Sequence, residues 1–495
     1  MALSNRQLAT ATISLLVFRL TTAFLVELTP QEAYYWNYTI HPALSYFDHP
    51  PVVAWVIRAG YLVLGKSELG IRIGGFVLTV LSTWLLFVLG KLWFNKKAGL
   101  WAALLFQLVP LFLVYGVLVT PDVPLTFFWL LTVYWVSLAV REDRPWLWYL
   151  AGVALGFCLL SKYTAVFLLP STFLFLLAER RYRGWLARKE PYCALILALI
   201  IFTPVLLWNM ENRWASFTFQ VSDRLNQVSS NPLRRLGEFL LIQFGVTSPT
   251  LIAGLILSPA LPISLALKKT RARWRLAVCF ALPLLVFLLA YSSRSAVKAN
   301  WTLPGYLSLL VAAHPCYRYL RFNSGTRTRL VVRYFLLVWF WALPVIYVAA
   351  VFHSTVTLPG VTVHRWTTGW REMGRLTSRE ADRFEAETGK KVFLLGMDSH
   401  YVASALSFYA DGSRPVFSRN LIGKPARAFD YWQAVEPLGF NGLAVGINRP
   451  DVDTLKKYCN RVGDQVERIP LRRGNRTLHY VFLVKCYGYK GIRSQ

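Results

Sequence analysis

Two carboxylates come first. Glu32 and Asp48 lie in TPQEAYYWNYTIHPALSYFDHPPVVAW, residues 29–55, directly after the first long apolar segment. Acids beside a membrane span must be explained by pairing, by water or by function. A carboxylate next to an alcohol hydroxyl can act as its general base, and two close carboxylates can raise one another's pKa or hold a cation. The plainer reading gives both acids to the capping of interfacial helices. Asp122, in Val119-Thr-Pro-Asp-Val-Pro124, reads either as a third acid of the same site or as a helix N-cap. Lys162, Arg213, Arg224, Arg294 and Lys298 form a cationic set. Lys162 stands in a short turn between apolar runs and calls for an anionic partner. A phosphate would be bound by Lys as a point charge or by Arg bidentately; general anchoring to lipid headgroups is the alternative. His49 could meet a phosphate oxygen, a metal or the neighbouring loop.

The elements that must position these groups are membrane spans. The chain has 495 residues, of which 55% are hydrophobic and only 16% charged, where a soluble protein of this size would be about a quarter charged. Apolar runs of span length recur, near 8–27, 73–90, 98–117, 124–140, 146–161, 163–178, 192–208, 249–267, 276–291, 302–317 and 334–352, about 11 in all. The net charge of +29 sits largely in Lys/Arg clusters between alternate spans, the pattern of cytoplasmic loops rather than of a nucleic-acid-binding surface. That places the N-terminus in the cytoplasm and puts residues 28–72, Asp122, Lys162, 209–248, 292–301 and the region after about 353 on the other face. Every group with chemical potential falls in this second set. Val52–Leu64 and 236–247 are too short to span and read as interfacial helices. The N-terminal apolar run reads as a retained first span, not as a removed signal peptide.

After residue 352 the composition becomes that of a soluble domain. Strands are expected near 391–396, 442–447 and 477–485, with helices at 399–410 and 451–459, which predicts a small α/β domain over 353–495 beside a membrane domain over 1–352. Cys459 and Cys486 lie in this tail and could form one disulfide if it is extracytoplasmic; the other four cysteines read as small core residues.

Six short pieces in order resemble the GT-C membrane glycosyltransferases that use polyprenyl-phosphate sugars. The closest likeness is to the bacterial branch related to protein O-mannosyltransferases and to the lipid A aminoarabinose transferase. They are Glu32-Ala-Tyr-Tyr-Trp36, Tyr46-Phe-Asp-His-Pro-Pro51, Thr120-Pro-Asp-Val-Pro124, Leu160-Ser-Lys-Tyr-Thr164, Trp208-Asn209 and Lys298-Ala-Asn-Trp301. The resemblance implies a GT-C-like α-helical polytopic fold and inverting transfer from a polyprenyl-phosphate donor at the extracytoplasmic face of a bacterial inner membrane. The acceptor would be a lipid, a glycan or a protein; membrane lipids are the remaining partners and nucleic acid is not one. No cofactor is required, and a divalent metal stays open. Glu32, Asp48 and Asp122 become the candidate catalytic acids, with Lys162, Lys298, Arg213 and His49 at the donor phosphate and Tyr34, Tyr35, Asn209 and Asn300 at the sugar or acceptor. The family's first loop usually presents Asp-Glu; here Gln31 replaces the Asp, so the expected base is Glu32, with Asp48 and Asp122 positioning the sugar or the interfacial helix, the alternatives being that Asp48 or Asp122 is the base or that the acceptor needs none. A lipid or glycan flippase is the competing class, and its polar residues should gather on broken helices at the midplane. A glycan ligase of the same fold is the other alternative.

Overall fold

A computed structural model describes residues 3–223, 231–247, 271–323, 368–411, 414–432, 435–473 and 476–492. The expected spans at 249–267 and 334–352, and Arg224, lie outside these residues. The chain forms two compact units: residues 1–23, 44–63 and 72–347, and residues 24–43, 64–71 and 348–495.

The first unit is a bundle of apolar helices. Its long members are α1 (Asn5–Leu25), α4 (Glu68–Trp93), α7 (Asp122–Glu142) and α10 (Glu190–Glu211), each long and apolar enough to cross a membrane. The chain is thus an integral membrane protein. Between them lie α3 (Val52–Leu64), α5 (Lys96–Leu108), α6 (Pro110–Tyr115), α8 (Leu147–Leu159) and α9 (Leu168–Ala178). After α10 come α11 (Ala215–Thr218), α12 (Pro232–Thr247), α13 (Arg271–Cys279), α14 (Leu282–Ser292) and α15 (Leu303–Asn323). α8 and α10 approach closely because α8 carries Gly152 and Gly156 four residues apart. A Cβ on Gly152 would stand 2.5 Å from the Ala194 carbonyl oxygen, and one on Gly156 2.7 Å from the Ile201 side chain. Small residues at this spacing are how helices pack tightly in lipid, where burial supplies little drive.

The apolar run at 98–117, expected as one span, is two helices because Pro110 has no N–H to donate to Phe106. The fully buried Arg19 of α1 takes over: its guanidinium donates to the carbonyls of Phe106 at 3.0 Å and Phe112 at 2.9 Å. It lies against Gly116, where any side chain would collide with it. A broken helix survives in an apolar bundle only if a neighbour satisfies the freed carbonyls, and here an arginine does so.

The second unit is built on a sheet of order β2-β1-β3-β6-β4, with β5 paired to β6. Its strands are β1 (Val392–Gly396), β2 (Val416–Phe417), β3 (Asn441–Gly446), β4 (Cys459–Val462), β5 (Glu467–Arg473) and β6 (Arg476–Tyr489). β1, β2 and β3 run parallel, and β6 is antiparallel to β3, β4 and β5. Helices α16 (Trp370–Thr388), α17 (Ser399–Tyr409) and α18 (Val452–Tyr458) complete it. The expected α/β alternation is present; α16, β2, β4 and β5 are additional to it. Cys459 and Cys486 are disulfide-bonded between β4 and β6.

Two stretches distant in sequence belong to this same unit. α2 (Pro30–Ile40) packs on α17, and Leu28 donates its N–H to the Tyr409 hydroxyl at 2.6 Å. Glu27 meets the start of α16, accepting from the N–H groups of Trp370 at 2.9 Å and Arg371 at 3.4 Å. Those N–H groups have no intrahelical partner, and the helix end favours negative charge. Burial nonetheless raises the Glu27 pKa, with help from nearby Glu372 and against the two backbone hydrogen bonds. A raised folded pKa means the native state binds the proton more tightly than the unfolded chain, so stability falls as pH rises through the carboxylate range towards the folded value. Glu27→Gln keeps an acceptor for both N–H groups and should flatten that slope. Glu27→Ala should cost about 1–2 kcal/mol. Thermal unfolding of the detergent-solubilised chain across the weakly acid range measures both; an unchanged slope in the Gln variant would reject this role.

Candidate active site

Within the helical unit, three turns and one loop converge. Asp122 is the first residue of α7, but its carboxylate does not cap that helix. It forms an ion pair with Lys162 at 2.7 Å, both side chains being almost wholly buried. Its second oxygen accepts from the Asn300 amide at 2.7 Å and the Thr120 hydroxyl at 3.3 Å. Asp122 thus joins the α6–α7 turn, the turn after α8 and the 299–302 turn before α15. Asn300 spends its amide nitrogen on Asp122, and its Oδ1 is buried without a hydrogen-bond partner. Thr302 next to it donates to Gln243 of α12 at 2.8 Å, which fixes the turn from behind.

The Tyr46–Val52 loop is pinned at three backbone points. Tyr46 O accepts from the Ser216 hydroxyl at 3.0 Å, Asp48 O accepts from the Gln220 amide at 2.8 Å, and Val52 N donates to Leu160 O at 3.2 Å. The last bond ties the loop to the turn that carries Lys162. Tyr163 follows, with its hydroxyl among the side chains of Ser216, Ser45 and Asn209 and its ring within electrostatic reach of Asp48. Asp48 is buried at 3% exposure and His49 is half-buried.

The segment after α10 is shaped by Asn209. Its Oδ1 accepts from Ser216 N at 3.1 Å, while Asn209 O accepts from Trp214 N at 2.7 Å. This closes a turn in which Arg213 and Trp214 both take left-handed backbone, at φ 53° and 58°. Such a pair is strained for residues with side chains and persists only where the surroundings impose it. Arg213, Arg294 and Lys298 are all exposed.

Glu32, Tyr34 and Tyr35 stand in the other unit, on α2. Glu32 is fully buried and makes a reciprocal cap: its Oε2 accepts from Thr29 N at 2.9 Å and Thr29 Oγ1 at 3.1 Å, and its own N–H donates to Thr29 Oγ1 at 3.3 Å. Tyr35 accepts from the Gln31 amide at 3.0 Å. The Tyr34 hydroxyl accepts from Ala428 N at 3.2 Å, and its ring packs 4.5 Å from His400, in an aromatic group that includes Tyr38 and Trp432. Thr120, Tyr163, Ser216 and Gln220 carry the site's geometry and escape a reading of the sequence, because uncharged polar residues at span ends leave no signal until their partners are known. Among the described residues no group of three or more His, Cys, Asp or Glu is placed to hold a metal ion.

Known proteins share this architecture. Residues 48–208 match the dolichyl-phosphate-mannose-protein mannosyltransferase family. The chain is 24% identical to the lipid A galacturonosyltransferase RgtD of Rhizobium johnstonii, over 83% of its length and 82% of that protein's. It is 29% identical to the undecaprenyl phosphate-alpha-4-amino-4-deoxy-L-arabinose arabinosyl transferase 1 of Pseudomonas fluorescens, over 32% of this chain and 29% of that one. The crystal structure of ArnT from Cupriavidus metallidurans bound to undecaprenyl phosphate superposes with a TM-score of 0.65 at 14% identity, covering 97% of this chain and 98% of that one. That likeness is one of fold. Together these findings make the chain a membrane glycosyltransferase similar to the GT-C enzymes that use polyprenyl-phosphate sugars. Among these, it is similar to the protein O-mannosyltransferases and to the lipid A aminoarabinose transferase.

The Asp122–Lys162 pair has a measurable signature. Removing one partner of a buried pair leaves an uncompensated charge and costs about 3–5 kcal/mol, whereas replacing both by apolar groups is often near neutral. Lys162→Met and Asp122→Leu should each lower the thermal midpoint in detergent sharply, and the double variant should recover most of the loss. Additive losses in the double variant would show that the two side chains act separately.

Proposed function

We propose that the protein transfers a sugar from a polyprenyl-phosphate donor of the undecaprenyl type to a lipid acceptor such as lipid A, with inversion, at the extracytoplasmic face of a bacterial inner membrane. The observation that carries this reading is the pinned Tyr46–Val52 loop, tied through Val52 N and Leu160 O to the turn whose Lys162 joins the buried Asp122–Asn300 cluster. Asp48 acts as the general base or orienter for the acceptor hydroxyl. Its backbone carbonyl is held by the Gln220 amide, which fixes where the residue stands in the loop. Glu32 is the weaker candidate, because two hydrogen bonds from Thr29 hold its carboxylate in the helix cap. Asp122 is a positioning residue: it orients Lys162 and the Asn300 amide, leaving Asn300 Oδ1 to accept from a sugar hydroxyl. Lys298 and Arg213, which are exposed, meet the departing lipid phosphate, and Lys162 contributes the positive end of its pair; such preorganised charge is usually the largest catalytic term. His49 lies next to the base and contacts the same phosphate.

The disulfide in the second unit supports the orientation, since such bonds persist in oxidising compartments. We therefore take that unit to lie outside the cytoplasm and, with the basic loops inside, the N-terminus to lie in it. The relatives are named for lipid A and for an undecaprenyl-phosphate sugar, and this motivates the donor and acceptor chosen here.

The test is turnover by the purified protein in detergent, given short-chain polyprenyl-phosphate sugars and lipid A. Asp48→Asn should lower kcat by about 10²–10⁴-fold with the donor KM little changed. Glu32→Gln should retain most turnover in whatever protein folds. Asn300→Ala should act mainly on KM. Full activity in Asp48→Asn would remove the base assignment. Transport of the donor without transfer would favour the flippase class, and labelling of Lys298→Cys from the cytoplasmic side would overturn the orientation.

A further inference from the structure

At the end of the bundle where the Lys/Arg-rich loops lie, α5 and α15 face each other, each with a matched pair of residues. On α5 these are Lys97 and Trp101, and on α15 they are His314 and Arg318. The i, i+4 spacing puts each pair on one helix face. The rings of Trp101 and His314 stack between the helices, with centroids 6.0 Å apart and planes 9° from parallel. Arg318 and Lys97 are the charged groups that act on the imidazole. His314 is more than nine-tenths buried, and its Nδ1 has no hydrogen-bond partner.

This arrangement costs energy as it stands. A buried polar nitrogen without a partner carries its full desolvation penalty. Lys97 and Arg318 set two positive charges around this one imidazole. No Asp or Glu occurs in Lys96–Leu108 or in Leu303–Asn323. Among the described residues Lys97 forms no ion pair. Lys96 adds a further exposed cation at the same helix end, and Lys91 closes α4 beside it, where Gly90 and Gly99 bring the two backbones together.

We propose that this cleft is a binding site for the phosphodiester headgroup of an anionic membrane lipid, separate from the transferase site. The phosphate oxygens take charge-assisted hydrogen bonds from Lys97 and Arg318. The imidazole supplies a neutral donor, since rotation about χ2 exchanges which ring nitrogen faces the opening. Trp101 holds the ring flat and places its indole at headgroup depth, as interfacial tryptophans do. A lipid is favoured over a free anion because the cleft lies between two apolar helices, and basic pockets between spans are where anionic headgroups lodge. Lys97 and Arg318 can extend their cations to the interface while their stems stay apolar.

The experiment is native mass spectrometry of the delipidated full-length protein in detergent, titrated with phosphatidylglycerol, phosphatidylcholine or inorganic phosphate. Wild type should bind phosphatidylglycerol about tenfold more tightly than phosphatidylcholine, and Lys97→Gln and His314→Gln should each remove about tenfold of that affinity. Arg183→Gln, in a different basic turn, should leave it unchanged. Equal affinity for the two lipids, or unchanged phosphatidylglycerol binding in Lys97→Gln, would overturn the proposal. Displacement of the lipid by an equal concentration of inorganic phosphate would overturn the lipid assignment in favour of a free-anion site. Lys97 is only partly buried, so its variant keeps the test decisive if His314→Gln fails to fold.

Discussion

The ion pair between Lys162 and Asp122 is the constraint from which the helical unit takes its arrangement. A carboxylate and an ammonium shut away together lose several kcal/mol of hydration each, and their attraction offsets this only when geometry is tight and the remaining valences are filled. Asp122 meets that condition with Asn300 and Thr120 on its second oxygen. Three turns that are far apart in sequence must therefore arrive in one register. An apolar contact of equal volume could hold them together, yet it would tolerate sliding of one helix along another. A pair with directional hydrogen bonds does not, and this is the sense in which a buried charge specifies structure.

The same requirement, that no polar group be stranded in an apolar setting, explains several features that look unrelated. Arg19 stands in for the N–H that Pro110 lacks. Gln243 collects the hydroxyls of Thr302 and Tyr306. Glu27 and the Glu32 cap satisfy helix N-termini in the second unit. Apart from the local Glu32 cap, each repair recruits a residue from a distant part of the chain, so the irregular backbone at the broken helices and turns is also what knits the sequence together. Irregularity is concentrated beside the proposed transferase site, because turns rather than helix interiors can aim several side chains at one point.

Much of the architecture was legible from periodicity and charge. The long helices fall where the apolar runs predict them, and α3 occupies the expected 52–64. The second unit has its helix–strand alternation after residue 368. What could not be read is pairing. β5 and β6 form a hairpin with a register shift at Leu471/Arg472, and its polar, Arg-rich strand has no clean alternation. Helix α16 is amphipathic but carries only widely spaced apolar residues, Trp370, Met373 and Phe384 among them, so it passes for loop. Glu32 is instructive in the opposite direction. Thr29-Pro-Gln-Glu32 is a capping-box pattern visible in sequence, and attention to its chemistry hid its structural use. Asn209 likewise reads as a binding residue but organises the Arg213–Trp214 turn.

That turn bears on how the proposed transfer would handle charge. A lysine already paired at 2.7 Å with a carboxylate presents a dipole more than a free cation, and its pull on a developing phosphate charge is correspondingly reduced. The burden shifts to the exposed cations Lys298 and Arg213. Lys298 sits two residues before Asn300, so the turn fixed by Asp122 also fixes the base of its stem. Arg213 is raised out of α10 on left-handed backbone, a conformation that stores strain to hold a side chain where regular helix would not. On this reading Lys162 and Asp122 are kept to set the geometry, while the exposed pair of cations does the electrostatic part of the chemistry. Keeping those cations exposed also suits turnover: a wholly buried cation would hold the lipid phosphate after the sugar had left.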